Sequence, residues 1–202
     1  MTSSNSLCAN NNLPQALHQF AKLYIKNYQH CHNQLPKIEH DVQWVSPCEQ
    51  GGIEKGDTKK IKAEKSVVSW QPVEITSADE LSFENVESAL ALTLHPDIKT
   101  YFTTIYSEQL AAKTEDGDLS LLFAWNKDDF QRLQENIIGH ILMKRRLKQA
   151  ETVFFAVTDE DDMIISIEND TGAVWVEQVG CKPHKKLSNS ITEFITQLTP
   201  IV

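Results

Sequence analysis

The feature that most constrains the fold of this chain is the hairpin signal at Asp116-Gly117. Two strand-length segments, Gln109 to Thr114 and Leu119 to Trp125, flank this dipeptide, which tolerates the positive φ angles of a tight turn. Consecutive strands joined by such a turn pair antiparallel. Further strand-like segments follow at Thr152 to Thr158, Met163 to Glu168 and, after a turn at Asn169 to Gly172, Ala173 to Val179. The sequence therefore predicts a largely antiparallel sheet.

Apolar residues that recur at steps of three and four predict helices packed on this sheet. The longest predicted helix runs from Asp128 to Leu147, with acidic residues at its start and basic residues at its end, as the helix dipole favours. Other helical segments are predicted from Pro14 to Tyr28, after the capping box Ser77 to Glu80, through Asp97 to Ile105, and from about Ser188. These elements predict a single α+β domain over residues 13–202, in which helices pack on a mainly antiparallel sheet.

Two segments are expected to lie outside the packed core. Residues 1–12 are rich in Asn and Ser and predict a flexible N-terminus. Residues 49–66 form a stretch of Glu, Lys and Gly that is too polar to pack, and they predict a mobile charged surface loop. The remainder of residues 33–75 is expected to be irregular, except for a short strand at Val67 to Trp70.

Charge and composition narrow the classes of partner. The chain has 202 residues and a net charge of −9, which disfavours nucleic acid and bare anionic lipid. Its longest apolar run, Val153 to Val157, is far shorter than the roughly 18 residues of a membrane span, and its first residues show no secretory signal. None of the four cysteines belongs to a CxxC pair, and we interpret them as reduced thiols in a cytosolic protein.

The negative charge is concentrated in two stretches of the chain. Residues 74–135 carry 13 acidic residues against 4 basic ones, and residues 151–181 carry 8 acidic residues and no Lys or Arg. If folding brings the stretches together, they form an acidic concave face that attracts a basic partner. The alternative is an ordinary solvated surface, because acidic residues are common in turns and at helix N-termini. The candidate partner-binding residues are Asp116, Asp118, Asp128, Asp129, Glu135, Asp159, Glu160, Asp161 and Asp162.

No motif in the sequence predicts catalysis. Gly51 to Gly56 has the spacing of a phosphate-binding loop, but Asp57 stands where that loop requires Lys. The run His30-Cys31-His32 lacks the ligand spacing of a structural zinc site. His140 lies on the apolar stripe of the long helix, and we interpret it as a hydrogen-bonded packing residue. A hydrolase that uses His140 or a carboxylate pair is the alternative to the predicted non-enzymatic protein without metal or cofactor.

Several stretches of the sequence identify a family rather than a reaction. The most specific is Leu121 to Leu147, which reads LLFAWNKDDFQRLQENIIGHILMKRRL. The others are Ser46-Pro47-Cys48, Trp70-Gln71-Pro72, Tyr101 to Thr104, Thr152 to Ala156, and Glu193-Phe194 with Gln197-Leu198. In this order they resemble the Syd family of SecY-interacting proteins, from the first helix to the C-terminus. One departure is the Lys-rich stretch within residues 49–66, which is longer and more charged than the family pattern.

The resemblance implies a fold, a partner and a location. It implies a relation to the SMI1/KNR4 immunity-type superfamily, and a concave, negatively charged groove that receives basic cytoplasmic loops of the translocon subunit SecY. Such loops are basic under the positive-inside rule. The implied protein is peripheral on the cytoplasmic face of the bacterial inner membrane, held there through SecY, and acts in quality control or negative regulation of SecY. The alternative function is an immunity-type protein that neutralises a basic toxin.

Overall fold

The computed structural model describes residues 12–51 and 66–202. The predicted flexible N-terminus, up to residue 11, and most of the predicted charged loop, residues 52–65, lie outside the described residues. At the start of that loop Glu49–Gln50 form a short strand, because their backbone pairs with Trp70 and Ser69.

Strands of the described residues form three antiparallel groups. In chain order they are β1 (Lys37–Glu39), β2 (Glu49–Gln50), β3 (Val67–Trp70), β4 (Val73–Glu74), β5 (Ile105–Tyr106), β6 (Leu110–Thr114), β7 (Gly117–Leu121), β8 (Thr152–Thr158), β9 (Met163–Glu168), β10 (Val174–Gln178), β11 (Lys185–Ser188) and β12 (Thr199–Pro200). The main sheet has seven strands in the order β11-β10-β9-β8-β7-β6-β12. Strands β1, β3 and β2 form a small sheet, and β4 pairs with β5.

Every α-helix of the described residues except the second, Glu84–Leu90, begins with an N-cap side chain that accepts from a free backbone N–H group. The helices are α1 (Leu13–His32), α2 (Glu84–Leu90), α3 (Pro96–Phe102), α4 (Lys127–Arg146) and α5 (Ile191–Gln197), with a 3-10 turn at Ser77–Asp79. The side chain of Asn12 accepts from Gln15 N, that of Asn126 from Asp129 N, and that of Ser190 from Glu193 N. Each bond satisfies an N–H that has no partner within its helix.

The predicted hairpin is present with a slightly different turn. Leu110 pairs with Leu121 and Thr114 with Gly117, so the turn residues are Glu115 and Asp116 rather than Asp116-Gly117. Gly117 has a φ of 143°, which a residue with a side chain rarely adopts. The second strand also ends earlier than predicted, at Leu121, because the following residues lead to the cap of α4.

The sheet lies between two groups of helices. On one face, α4 packs against β8, where the rings of His140 and Phe154 lie 5.5 Å apart. On the other face, Phe155 contacts Tyr101 of α3 and Phe194 of α5, with ring centroids 5.3 and 5.7 Å away. Helix α1 packs against α3 and α5. The predicted single α+β domain is therefore confirmed.

Three local predictions are corrected by pairing between distant segments. The segment predicted as irregular, 33–75, contains β1, β2 and β4 besides β3. The region predicted as helical up to Ile105 ends at Phe102, because Ile105 pairs with Glu74. Strand β11 was missed and α5 begins later than predicted, because Ser188 pairs with Val174. These strands have only two to four residues, too few to show a period.

Candidate functional site

An open cleft of about 210 Å³ lies on the face of the main sheet opposite α4. Its floor is apolar, since Leu119, Met163, Ile165, Val176 and Leu187 line it. Ile165 and Val176 are paired across β9 and β10, so their side chains stand on the same face. Val176 and Leu187 are half-buried and present apolar surface to the cleft.

Four acidic residues from two distant segments stand around this floor. Asp116 and Asp118 come from the hairpin of β6 and β7, and Asp159 and Glu160 come from the turn after β8. Leu119 pairs with Thr158, so the residues next to them, Asp118 and Asp159, lie at the same edge of neighbouring strands. All four acids are exposed. We call them, Asp116, Asp118, Asp159 and Glu160, the cleft acids.

A lysine from the far side of the sheet also reaches the cleft. Lys185 Nζ lies 2.6 Å from Asp116 Oδ1, and the two side chains are 50% and 49% exposed. Strands β10, β9 and β8 separate β11 from β7, which would place them about 19 Å apart in a flat sheet. The ion pair is possible because the sheet is strongly curled, and the cleft lies within its concave side. His184 is the other basic residue that lines it.

Two more predicted residues lie beside the cleft without lining it. Asp161 and Asp162 belong to the same exposed turn between β8 and β9 as Asp159 and Glu160. Asp162 has a positive φ of 63°, and its carbonyl oxygen accepts from Val179 N at 2.9 Å. This bond extends the pairing of β9 with β10 by one residue and fixes the end of the turn that presents Asp159 and Glu160.

The predicted residues Asp128, Asp129 and Glu135 lie on α4, against the opposite face of the sheet. Glu177 bonds to α4, whereas its neighbour Val176 lines the cleft, and successive side chains of a strand point to opposite faces. The Asp129 carboxylate accepts from Trp125 N at 2.9 Å, a bond that closes the start of the helix. The structure therefore does not bring these three acids to the cleft.

Asp128 lines a different hollow at the start of α4. This hollow has a volume of about 390 Å³, and Val42, Val45, Asp79 and Tyr106 also line it. Val42 and Val45 are largely exposed. Burial raises the pKa of the Tyr106 phenol to about 12, with a further contribution from the Asp79 carboxylate. The acids predicted as one face are thus divided between two surfaces.

A buried polar network that the sequence did not predict lies under α4. Lys144 Nζ donates to Glu177 Oε2 at 2.7 Å and to the Cys181 carbonyl at 2.9 Å. Thr152 Oγ1 donates to Glu177 Oε1 at 2.8 Å and lies 3.0 Å from His140 Nε2. Burial opposes ionisation of Glu177, but bonds from His140, Lys144 and Thr152 outweigh it and hold its pKa below the ordinary value.

The role of Lys144 differs from the one that its position suggested. Its place at the basic end of α4 predicts an interaction with the helix dipole, yet its side chain is 0% exposed. A signal was present, since Lys144 lies three residues after Ile141 and seven after Ile137, on the buried stripe of the helix. His140 is a buried, hydrogen-bonded packing residue, as predicted.

The described residues, 12–51 and 66–202, contain neither a cluster of metal ligands nor a helix that could cross a membrane. In these ranges no three His, Cys, Asp or Glu side chains are grouped so that they could hold a metal ion. No helix there has both the length and the apolar character needed to cross a membrane.

Comparison with known proteins gives a consistent result over almost the whole chain. A family model described as Syd protein (SUKH-2) matches residues 14–200. A relative named Protein Syd from Colwellia psychrerythraea is 58% identical, over 98% of this chain and 96% of its own length. Relatives of the same name from Alteromonas mediterranea and Aliivibrio fischeri are 45% and 37% identical, over 92% and 93% of this chain and 94% and 96% of their own lengths. The chain therefore belongs to the Syd protein (SUKH-2) family.

Proposed function

We propose that this protein is a non-enzymatic binding protein that receives basic cytoplasmic loops of SecY in the concave cleft. The observation that carries the proposal is the convergence of the cleft acids, from two segments about forty residues apart, around an apolar floor. Membership of the Syd family supports SecY as the partner. The outcome of binding is quality control or negative regulation of SecY.

The chemistry of the cleft suits a cationic chain segment. Asp118, Asp159 and Glu160 are exposed at one end of β7 and β8 and line the cleft, so their negative charges add at its edge. Cytoplasmic loops of membrane proteins are enriched in Lys and Arg. Charge complementarity of this kind speeds encounter and orients the partner, and salt screens it over about 10 Å at 0.1 M. We therefore expect an affinity that falls as ionic strength rises.

The overall charge indicates how the protein reaches the membrane. With a net charge of −9, the chain is repelled by the anionic lipids of the cytoplasmic leaflet. The protein is therefore peripheral on the cytoplasmic face of the inner membrane only through SecY, and cytosolic when unbound. The same charge disfavours nucleic acid as a partner.

The proposal is tested by neutralising each group of acids separately. The cleft variant Asp118→Asn/Asp159→Asn and the matched variant Asp128→Asn/Glu135→Gln change the net charge by the same amount at exposed positions. Binding to detergent-solubilised SecY complex is measured for both at low and high salt. We expect the cleft variant to lose about tenfold or more in affinity, and the α4 variant to change little. Equal losses, or none, would overturn the assignment of the cleft.

A second candidate is an immunity-type protein that binds a basic toxin. This candidate is favoured by the cleft acids, which suit any cationic protein surface and therefore do not by themselves select SecY. A toxin gene next to the gene of this protein, together with no binding to SecY at low salt, would favour this candidate. A genomic context without a toxin gene and salt-dependent SecY binding would exclude it.

A further inference from the structure

We propose that Lys185 is a built-in competitor in the cleft, and that a partner binds with a cationic side chain that replaces Lys185 on Asp116. The partner segment also carries an aliphatic side chain next to that cation, which packs on the floor. This inference rests on the proposed function of the cleft, and it identifies both the chemistry of the segment and the residue that opposes its binding.

The ion pair places a positive charge where the partner's charge is needed. Lys185 Nζ lies 2.6 Å from Asp116 Oδ1, at the edge of the same cleft that the other acids line. Among the described residues, Asp118, Asp159 and Glu160 form no ion pair. Lys185 therefore neutralises one of the four cleft acids and leaves the other three to attract a cation.

The Lys185–Asp116 ion pair contributes little to the stability of the fold, so a cation of a partner can replace Lys185. Both side chains are about half exposed, so water and salt screen their attraction, and such pairs contribute little to stability. Lys185 lies on β11, an edge strand of the main sheet that pairs only with β10 among the described strands. Its long side chain can swing away without breaking a strand hydrogen bond, because only side-chain torsions must change.

The floor of the cleft explains why the partner needs an aliphatic side chain as well. Met163, Val176 and Leu187 are half-buried, and their accessible apolar surface lies beside the Lys185–Asp116 pair. Covering this surface with a Leu or Ile side chain removes it from water, which is favourable in proportion to the area buried. A cation alone would compete with Lys185 without this gain, so a segment with both groups is preferred.

The chain contains a matched control residue for Lys185. Lys186 is the next residue of β11, and its Nζ lies 6.0 Å from the centroid of the Trp175 ring. Trp175 alternates with Val176 along β10, so Lys186 lies on the face opposite the cleft. The variants Lys185→Met and Lys186→Met therefore lose the same charge from the same strand, on opposite faces of the sheet.

The experiment measures peptide binding by fluorescence anisotropy at low ionic strength. The probe is a rhodamine-labelled peptide, Gly-Lys-Leu-Lys-Gly-Lys-Leu-Lys-Gly, and the comparison peptide has Ser in place of Leu. We expect Lys185→Met to bind the probe about two- to fivefold more tightly than the wild-type chain does. This increase in affinity should be clearly larger than the increase caused by Lys186→Met. Lys185→Arg keeps the competing charge and should therefore not gain affinity, and the Ser peptide should bind more weakly throughout.

A double-mutant cycle isolates the competition itself. In the Asp116→Asn background, Lys185→Met should increase the affinity for the probe no more than Lys186→Met does, because the carboxylate that pairs with Lys185 has been removed. Equal gains for the two Met variants in the wild-type background would overturn the competitor role. If the wild type binds the probe and Asp118→Asn/Asp159→Asn weakens this binding, the proposed function remains supported even when the competitor role is overturned. If neither the wild type nor any variant binds the probe or SecY, the proposed function and this inference both fail.

Discussion

Glu177 and Lys144 form a fully buried ion pair, with 2.7 Å between Oε2 and Nζ, that joins β10 to α4. The neighbouring residue in β10, Val176, lines the concave cleft on the other face of the sheet. A single strand thus carries a structural contact on one face and part of the candidate site on the other. Lys144 also donates to the Cys181 carbonyl, so the pair fastens the segment that leads into β11 and Lys185.

Removal of one partner of this pair is expected to be strongly destabilising. Lys144→Met leaves the Glu177 carboxylate buried without its cation, and we expect the free energy of unfolding to fall by about 3–5 kcal/mol. The double variant Lys144→Met/Glu177→Leu buries no uncompensated charge and should lose less than the sum of the two single changes. Urea unfolding measures all three, and strictly additive losses would contradict the coupling.

The same network predicts how stability depends on pH. The pKa of Glu177 is lower in the folded than in the unfolded protein, so its contribution to stability is present above its ordinary pKa and is lost as pH falls through the lowered value. In Glu177→Gln this contribution is absent at every pH. We therefore expect the free energy of unfolding to fall less steeply in Glu177→Gln than in the wild type as the pH is lowered. Urea titrations at several pH values from neutral to acidic measure this dependence. Parallel curves for the two proteins would contradict the shift.

Cysteine reactivity should follow burial. Cys48 is fully buried, and burial raises the pKa of its thiol to about 11, whereas Cys31 and Cys181 are exposed. Because the thiolate is the reactive form, iodoacetamide near neutral pH should modify Cys31 and Cys181 long before Cys48. Peptide mapping by mass spectrometry gives the order, and urea should abolish the difference. Early modification of Cys48 in the native protein would show that its site opens.

Two glycine substitutions should change stability in opposite directions. Gly172 has a φ of 74°, and an added Cβ would lie 2.6 Å from His95 Cε1, so Gly172→Ala should cost about 2 kcal/mol and lower Tm by about 4–8 °C. Gly139 lies inside α4 with nothing within 4 Å of an added Cβ. Gly139→Ala should therefore raise stability by about 0.5–1 kcal/mol. Thermal unfolding tests both, and a neutral Gly172→Ala would contradict the close contact with His95.

Features with a local cause were predictable from the sequence. The helix predicted from Asp128 to Leu147 is α4, Lys127–Arg146, because its apolar stripe and end charges are properties of one continuous segment. The hairpin was predictable for the same reason, apart from a one-residue shift of its turn. Short strands such as Lys185–Ser188 were not, because they exist only through pairing with a partner strand.

The sequence by itself determined the α+β class, the two acidic stretches and the family resemblance, because composition and periodicity depend only on the order of the residues. Only the tertiary structure decided which acids meet. Asp118 joins Asp159 because neighbouring strands set them at one edge, whereas Asp128 is carried to the other face of the sheet by α4. Sheet curl decided the pairing of Lys185 with Asp116, because curvature depends on all the strands between them and on no single segment.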